Sequence, residues 1–177
     1  RMQAIITNLL DVNAVDTGKF TLTPSEFNFS DAVRAVVEDY VERAKEKNIT
    51  LNFEAESSYI IAFADNNATV QILDNLVSNA VKYSPFNTTV WISVRVVATK
   101  AQCLVKDEGP GISEEDKKKL FGKYARLSAK PTGGEHSTGL GLSIVKKLAE
   151  AMHGTVWCES ELGNGATFIL ELPMQDV

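Results

Sequence analysis

The sequence predicts an α/β fold of the α+β kind, a two-layer sandwich in which a mixed, mostly antiparallel sheet carries three helices on one face. Three observations predict it. Several segments alternate strictly and present one clean apolar side each, the signature of strands with one covered face. Three other segments carry an apolar stripe at helical period, enough to cover that face. The chain has 177 residues, 44% of them hydrophobic, which is sufficient for one good core.

Taken in order, residues 1–17 place Met2, Ile5, Ile6, Leu9 and Val12 at helical spacing, and Gly18 is a suitable stop. Asp16-Thr-Gly-Lys19 and the following FTLTPSEFNF read as a connector into an extended segment, with Pro24 barring a helix interior. Ser30 is the expected N-cap of the next helix, with Asp31 in its first turn. Val33, Val36, Val37, Tyr40, Val41 and Ala44 form its stripe, and Asn48 is a left-handed stop. ITLNFE and YIIAFA are short strands, and Asp65 begins the second covering helix.

In TVWISVRVV, Val90, Ile92, Val94 and Val96 point one way, Trp91, Ser93 and Arg95 the other. The next strand puts Cys103, Val105 and Asp107 on one side. Ser113-Glu-Glu-Asp opens a short helix with acids at its positive end and Lys117-Lys-Lys later. Leu120 and Phe121 are an isolated apolar pair, and SAKPTGGEHST reads as a lid loop. The last helix, about 139–152, supplies Leu142, Val145, Leu148 and Ala149, with Gly154 as its end. Two final strands alternate Val156 and Cys158 against Trp157 and Glu159, then Ala166, Phe168, Leu170 and Leu172 against Thr167, Ile169 and Glu171.

Charge and composition exclude several functions. A net charge of −5 without a basic run argues against a nucleic-acid surface. Cys103 and Cys158 lack CxxC spacing or clustered histidine, which favours two strand cysteines in a reducing compartment over a metal site, with a strand–strand disulfide as the alternative. No apolar run reaches membrane-spanning length and no signal peptide precedes the fold. The expected location is therefore cytoplasmic, with an anchor elsewhere in a parent protein left open. The chain opens in mid-helix at Arg1, as expected of a fragment.

Chemistry concentrates in three stretches. In QILDNLVSNAVKYSP (71–85), Leu73, Leu76, Val77 and Ala80 share one side, while Asn75, Asn79 and Lys82 project together from the other. Two amides and an ammonium on one face suit a metal and phosphate. Asp107 ends a strand, and Gly109 and Gly111 follow at once. A carboxylate there can accept a hydrogen bond from an exocyclic amine, and the glycines let a ring approach the backbone. Gly139-Leu140-Gly141-Leu142 opens a helix, whose free N–H groups form an anion site. A dinucleotide fold would need a third glycine near position 144, which is Ile144, and no GxxxxGK[ST] loop occurs.

In this order and spacing, the motifs resemble the catalytic ATP-binding domain of sensor histidine kinases, within the GHKL superfamily shared with gyrase, the heat-shock chaperone ATPase and mismatch-repair ATPases. NLVSNAVKYSP resembles the N box, DEGPGI the first glycine box, LFGKYARL the F box, and STGLGLSIVKKLAEAMHG the second glycine box. The resemblance implies ATP and Mg²⁺ as ligands. It implies that Asn79 holds Mg²⁺ and that Asn75 and Lys82 contact phosphate oxygens, with Tyr83 near the nucleotide. Asp107 would read the adenine amine, beside Gly109, Gly111 and Ile112. Gly139, Leu140 and Gly141, with Leu142, would present the phosphate-binding turn. Arg126 would reach the γ-phosphate from a lid whose peg is Phe121. Glu108 departs from the asparagine often found there.

Position 75 separates branches of the superfamily. Hydrolysing members carry glutamate four residues before the metal asparagine as general base, whereas Asn75 cannot take a proton. An imidazole brings its own lone pair, and phosphoryl transfer depends chiefly on positioning and charge stabilisation. The implied activity is thus transfer of the ATP γ-phosphoryl group to a histidine on a separate dimerisation domain of the same protein, then to the receiver domain of a response regulator. The implied parent is a homodimer. Residues 1–18 would be the end of a dimerisation helix, 19–29 the connector and 30–177 the catalytic domain. His136 and His153 read as a loop contact and a cap-region residue, so this stretch carries no acceptor histidine of its own. The alternatives are a degenerate nucleotide-binding or docking module and a hydrolysing ATPase of the same fold.

Overall fold

A computed structural model of the chain describes residues 21–122 and 141–176. The expected helix at 1–17, the whole lid loop at 128–138, Arg126, His136, Gly139 and Leu140 lie outside those residues. In chain order the elements are β1 (Ser25–Asn28), α1 (Phe29–Asp39), α2 (Val41–Glu46), β2 (Thr50–Ala55), β3 (Ile61–Ala64) and α3 (Asn66–Tyr83). They continue with β4 (Thr89–Val97), β5 (Lys100–Asp107), α4 (Glu114–Lys118), α5 (Gly141–Ala151), β6 (Thr155–Ser160) and β7 (Ala166–Pro173).

The main sheet runs β2-β4-β5-β7-β6. Only β2–β4 is parallel, and the other three pairings are antiparallel. β1 and β3 form a separate antiparallel pair, Ser25 opposite Ala64 and Asn28 opposite Ile61. The inner face matches the alternation: Val90, Ile92 and Val94, then Ala101, Cys103 and Val105, then Ala166, Phe168, Leu170 and Leu172 are all buried. Against them α1, α3 and α5 contribute Phe29, Val33, Ile72, Leu73, Leu76, Val77, Ile144 and Val145 to one core. Both cysteines are free thiols; they face the core two residues out of register, Cys103 opposite Leu170 and Cys158 opposite Phe168.

Several details differ from the sequence expectation, each for a physical reason. The N-cap of α1 is Asn28, whose side chain accepts from the Asp31 N–H at 3.3 Å. Ser30 is instead buried inside the first turn, and its hydroxyl donates to the Ser57 carbonyl at 2.8 Å. The single expected helix is two, broken at Tyr40, whose hydroxyl donates to Asp74 Oδ1 at 2.7 Å. Burial, and then the facing Asp74 carboxylate, push the Tyr40 phenol well above its ordinary range. Val96 lies beside the β4–β5 hairpin turn, paired with Ala101, and is exposed, while Ile169, expected on the polar side, is buried between its cross-strand neighbours Leu104 and Trp157.

α5 ends with His153 in the left-handed region (φ 61°), not at Gly154. The His153 N–H donates to the Glu150 carbonyl and the Gly154 N–H to that of Ala149, closing a Schellman turn. Gly154 is needed for space: a Cβ there would stand 2.6 Å from the Glu171 carbonyl oxygen. The same turn ends α2, with Asn48 at φ 52° as expected.

Candidate functional site

α3 is the shared wall of the site. Asp65 caps its start by accepting from the Ala68 N–H at 2.9 Å, and its second oxygen accepts from the Thr23 N–H at 2.8 Å. The helix then buries Ile72, Leu73, Leu76, Val77 and Ala80. By helical periodicity this leaves Asn75, Asn79 and Lys82 half-buried on the remaining face. The Asn75 amide donates to the Gln71 carbonyl one turn back at 3.0 Å. That bond turns Oδ1 toward the start of α5, where a Cβ on Gly141 would stand 2.5 Å from it. The amide of the first motif therefore touches the glycine of the third.

Among the described residues nothing bonds to the Asn79 amide, and no group of three or more acidic, histidine or cysteine side chains is placed to hold a metal alone. A single amide oxygen beside a helix N-terminus fits Mg²⁺ accompanied by phosphate, since the ion takes few protein ligands and completes its shell with phosphate oxygens and water. The N-terminal end of α5, beside Asn75, carries the positive end of the helix dipole, which favours such an anion.

The other end of the site is built on the sheet. Asp107 closes β5 and is only 6% exposed. Its Oδ1 accepts from the Gly109 N–H at 2.8 Å and the Ala166 N–H at 3.3 Å, while no described residue donates to Oδ2. Burial pushes the carboxyl up to about 6 against the opposing pull of the two backbone N–H groups. Above that pH it is an acceptor whose Oδ2 takes no donor among the described residues, suited to an amine donor.

Glycines make the close approaches around it. A Cβ on Gly109 would stand 2.8 Å from the Tyr83 carbonyl oxygen and 2.9 Å from Asp107 Oδ1, so this residue lets the end of α3 meet the carboxylate. Gly111 sits at φ +75°, and a Cβ there would be driven into the Glu161 carbonyl. The β6–β7 turn braces this loop from behind. The Gly163 N–H donates to the Pro110 carbonyl at 2.6 Å. Ser160 Oγ accepts from the Ile112 N–H at 2.9 Å and donates to the Gly165 carbonyl at 2.6 Å. Gly165, at φ +73°, lies against the Asp107 carbonyl.

The remaining expected residues fall around this frame. Ile112 is buried in the core. Phe121 is half-buried, set edge-on to Phe168 with centroids 6.4 Å apart and with Lys146 Nζ 5.9 Å from its own centroid. Leu142 packs on the core from the first turn of α5. Glu108 points its carboxylate at the first residue of β4, accepting from the Thr89 N–H at 2.7 Å; an asparagine side chain is shorter by one carbon. Sequence reasoning missed Ser160, Gly163 and Gly165. The GNG turn at 163–165 marked a reversal between strands, but nothing local said that it folds onto Asp107.

A family model described as histidine kinase-, DNA gyrase B-, and HSP90-like ATPase matches residues 64–176. The adaptive-response sensory kinase SasA of Microcystis aeruginosa is 29% identical over 174 residues, covering 98% of this chain and 45% of that protein. The catalytic domain of histidine kinase ThkA superposes with a TM-score of 0.76 at 33% identity, covering 86% of this chain and 96% of that one. ThkA in complex with the response regulator protein TrrA gives 0.75 at 32% identity, over 97% of this chain and 50% of that one. Full-length ShkA in complex with AMPPNP gives 0.84 at 28% identity, over 99% of this chain and 36% of that one. The chain spans less than half the length of the curated relatives it matches. With the motif order, the sheet topology and these likenesses together, the chain belongs to the histidine kinase-, DNA gyrase B- and HSP90-like ATPase family, as a sensor histidine kinase catalytic ATP-binding domain.

Proposed function

We propose that this domain binds Mg-ATP along α3 and donates the γ-phosphoryl group to a histidine on a separate dimerisation domain of its parent protein. The observation that carries the reading is that α3 joins the other two motifs, with Asn75 against Gly141 and the Tyr83 carbonyl against Gly109 beside the buried Asp107 carboxylate. Asp107 Oδ2 accepts the exocyclic amine of adenine, and Gly109 and Gly111 leave room for the ring. Asn75 and Lys82 hold phosphate oxygens, together with the N–H groups of Gly139, Leu140 and Gly141. Asn79 holds Mg²⁺, which offsets phosphate charge when bound. Arg126 contacts the γ-phosphate in this reading.

Asn75 supplies no base, so this wall positions and neutralises but does not activate water. The acceptor imidazole attacks with its own lone pair. The phosphoryl group then passes to an aspartate of a response regulator, as the likeness to ThkA with its regulator supports. Residues 1–18 end the dimerisation helix, 19–29 connect and 30–177 form the catalytic domain of a homodimeric parent. Among the described residues no helix is long and apolar enough to cross a membrane, and the domain works in the cytoplasm, where ATP is available.

The test is titration with a labelled ATP analogue, with and without Mg²⁺, followed by addition of a histidine-bearing acceptor domain. Label on the acceptor supports transfer. Binding without label identifies a docking module, and rapid phosphate release without acceptor identifies a hydrolase.

A further inference from the structure

Lys47 lies in the turn after α2, far in sequence from every motif above, yet it is the one cation among the buried polar and charged side chains of the described residues, 5% exposed. Its ammonium donates to the Val81 carbonyl at 2.7 Å and the Lys82 carbonyl at 3.0 Å. These belong to the last turn of α3, whose carbonyls have no partners further along the helix. A positive charge is also favoured at that end of the helix dipole. The Phe86 ring covers the ammonium from 5.6 Å. The Lys47 backbone is fixed in turn, because the Asn87 N–H donates to its carbonyl at 3.0 Å and Asn48 Nδ2 donates to Asn87 Oδ1 at 2.6 Å.

The turn that Lys47 holds is the one by which α3 reaches the Asp107 end of the site. It contains Lys82, and the Tyr83 carbonyl that follows meets Gly109 beside Asp107. An ammonium binding consecutive carbonyls fixes both the pitch and the rotation of that last turn. We propose that Lys47 is a positioning residue of the nucleotide site, which sets the reach from Lys82 to Asp107 without touching the ligand. The inference rests on the Mg-ATP reading above.

Lys47→Met keeps the aliphatic stem and removes the donor, and Lys47→Arg restores charge and donors. Mg-ATP affinity is measured by titration at a temperature where circular dichroism shows each variant fully folded. The expected result is about 10-fold weaker binding for K47M, with K47R recovering to within about threefold of wild type. A merely structural lysine would lower the melting temperature of K47M and leave the affinity of the folded protein unchanged, and that outcome overturns the proposal. If K47M does not fold, Lys47→Gln decides: its uncharged amide ends one atom short of the lysine ammonium and cannot hold both carbonyls, so wild-type affinity in folded K47Q likewise overturns it. Absence of binding by the wild type would instead sink the Mg-ATP reading itself, so the two failures are separable.

Discussion

The two ends of the site are made by different means. At the sheet end, around Asp107, the shape is a matter of backbone meeting backbone: Gly111 against Glu161, Gly165 against the Asp107 carbonyl, Gly163 bonded to Pro110. At the helix end it is a matter of side chains, with Asn75, Asn79 and Lys82 presented by one face of α3 and the tip of Asn75 resting on Gly141. Backbone contacts cannot yield without moving strands, whereas an amide can swing to another rotamer. The sheet end should therefore be brittle and the helix end adjustable.

The largest expected break of that contrast is Gly165→Ala. The added carbon meets a carbonyl at a positive φ, and the loss in urea denaturation should be about 3 kcal/mol or more, with nucleotide binding lost alongside. A wild-type denaturation midpoint for G165A would show that the sheet end is as adjustable as the helix end.

Asp107→Asn comes next. It exchanges an acceptor for an amide that can present donors to the purine amine, and affinity for ATP should fall roughly 30- to 100-fold in calorimetry. The same variant tests burial. The native carboxyl binds its proton up to about pH 6, against 3.8 for the free group, so the native state holds more protons in that window and stability falls as pH rises through it. Above it the buried charge costs on the order of 3 kcal/mol. D107N should hence be more stable than wild type at pH 7.5, and that advantage should vanish near pH 4. Wild-type ATP affinity should also drop as the pH goes below about 6, while that of D107N stays flat.

At the helix end the effects should shrink. Asn79→Ala is expected to weaken Mg-ATP binding about 10-fold and leave metal-free ATP affinity nearly unchanged; equal losses with and without Mg²⁺ would remove Asn79 from the metal. Gly141→Ala should be mildest, roughly threefold in affinity with no loss of melting temperature, because its Cβ meets only the swinging end of Asn75 and alanine suits a helix. A fall as large as that of G165A would erase the distinction between the two ends.

Much of this was legible before any coordinates. β4 was read from alternation at its true limits, 89–97, and Asp65 was read as the start of α3. These are features of period and capping, carried by residues next to one another in the chain. Asn28 displaced Ser30 as a cap because the Ser30 hydroxyl is claimed by the Ser57 carbonyl, a neighbour 27 residues away. The break at Tyr40 likewise answers to Asp74, 34 residues on.

By itself the sequence determined the periodicities, the chemistry on each motif and their order, because those depend on side-chain identity at short spacing. Only the tertiary structure decided that Gly141 touches Asn75, that the 163–165 turn braces Asp107, and that Lys47 closes the end of α3. Each of these joins segments far apart in the chain through a backbone oxygen or an amide, and such groups, nearly alike at every residue, carry no local signal of the partner they will meet.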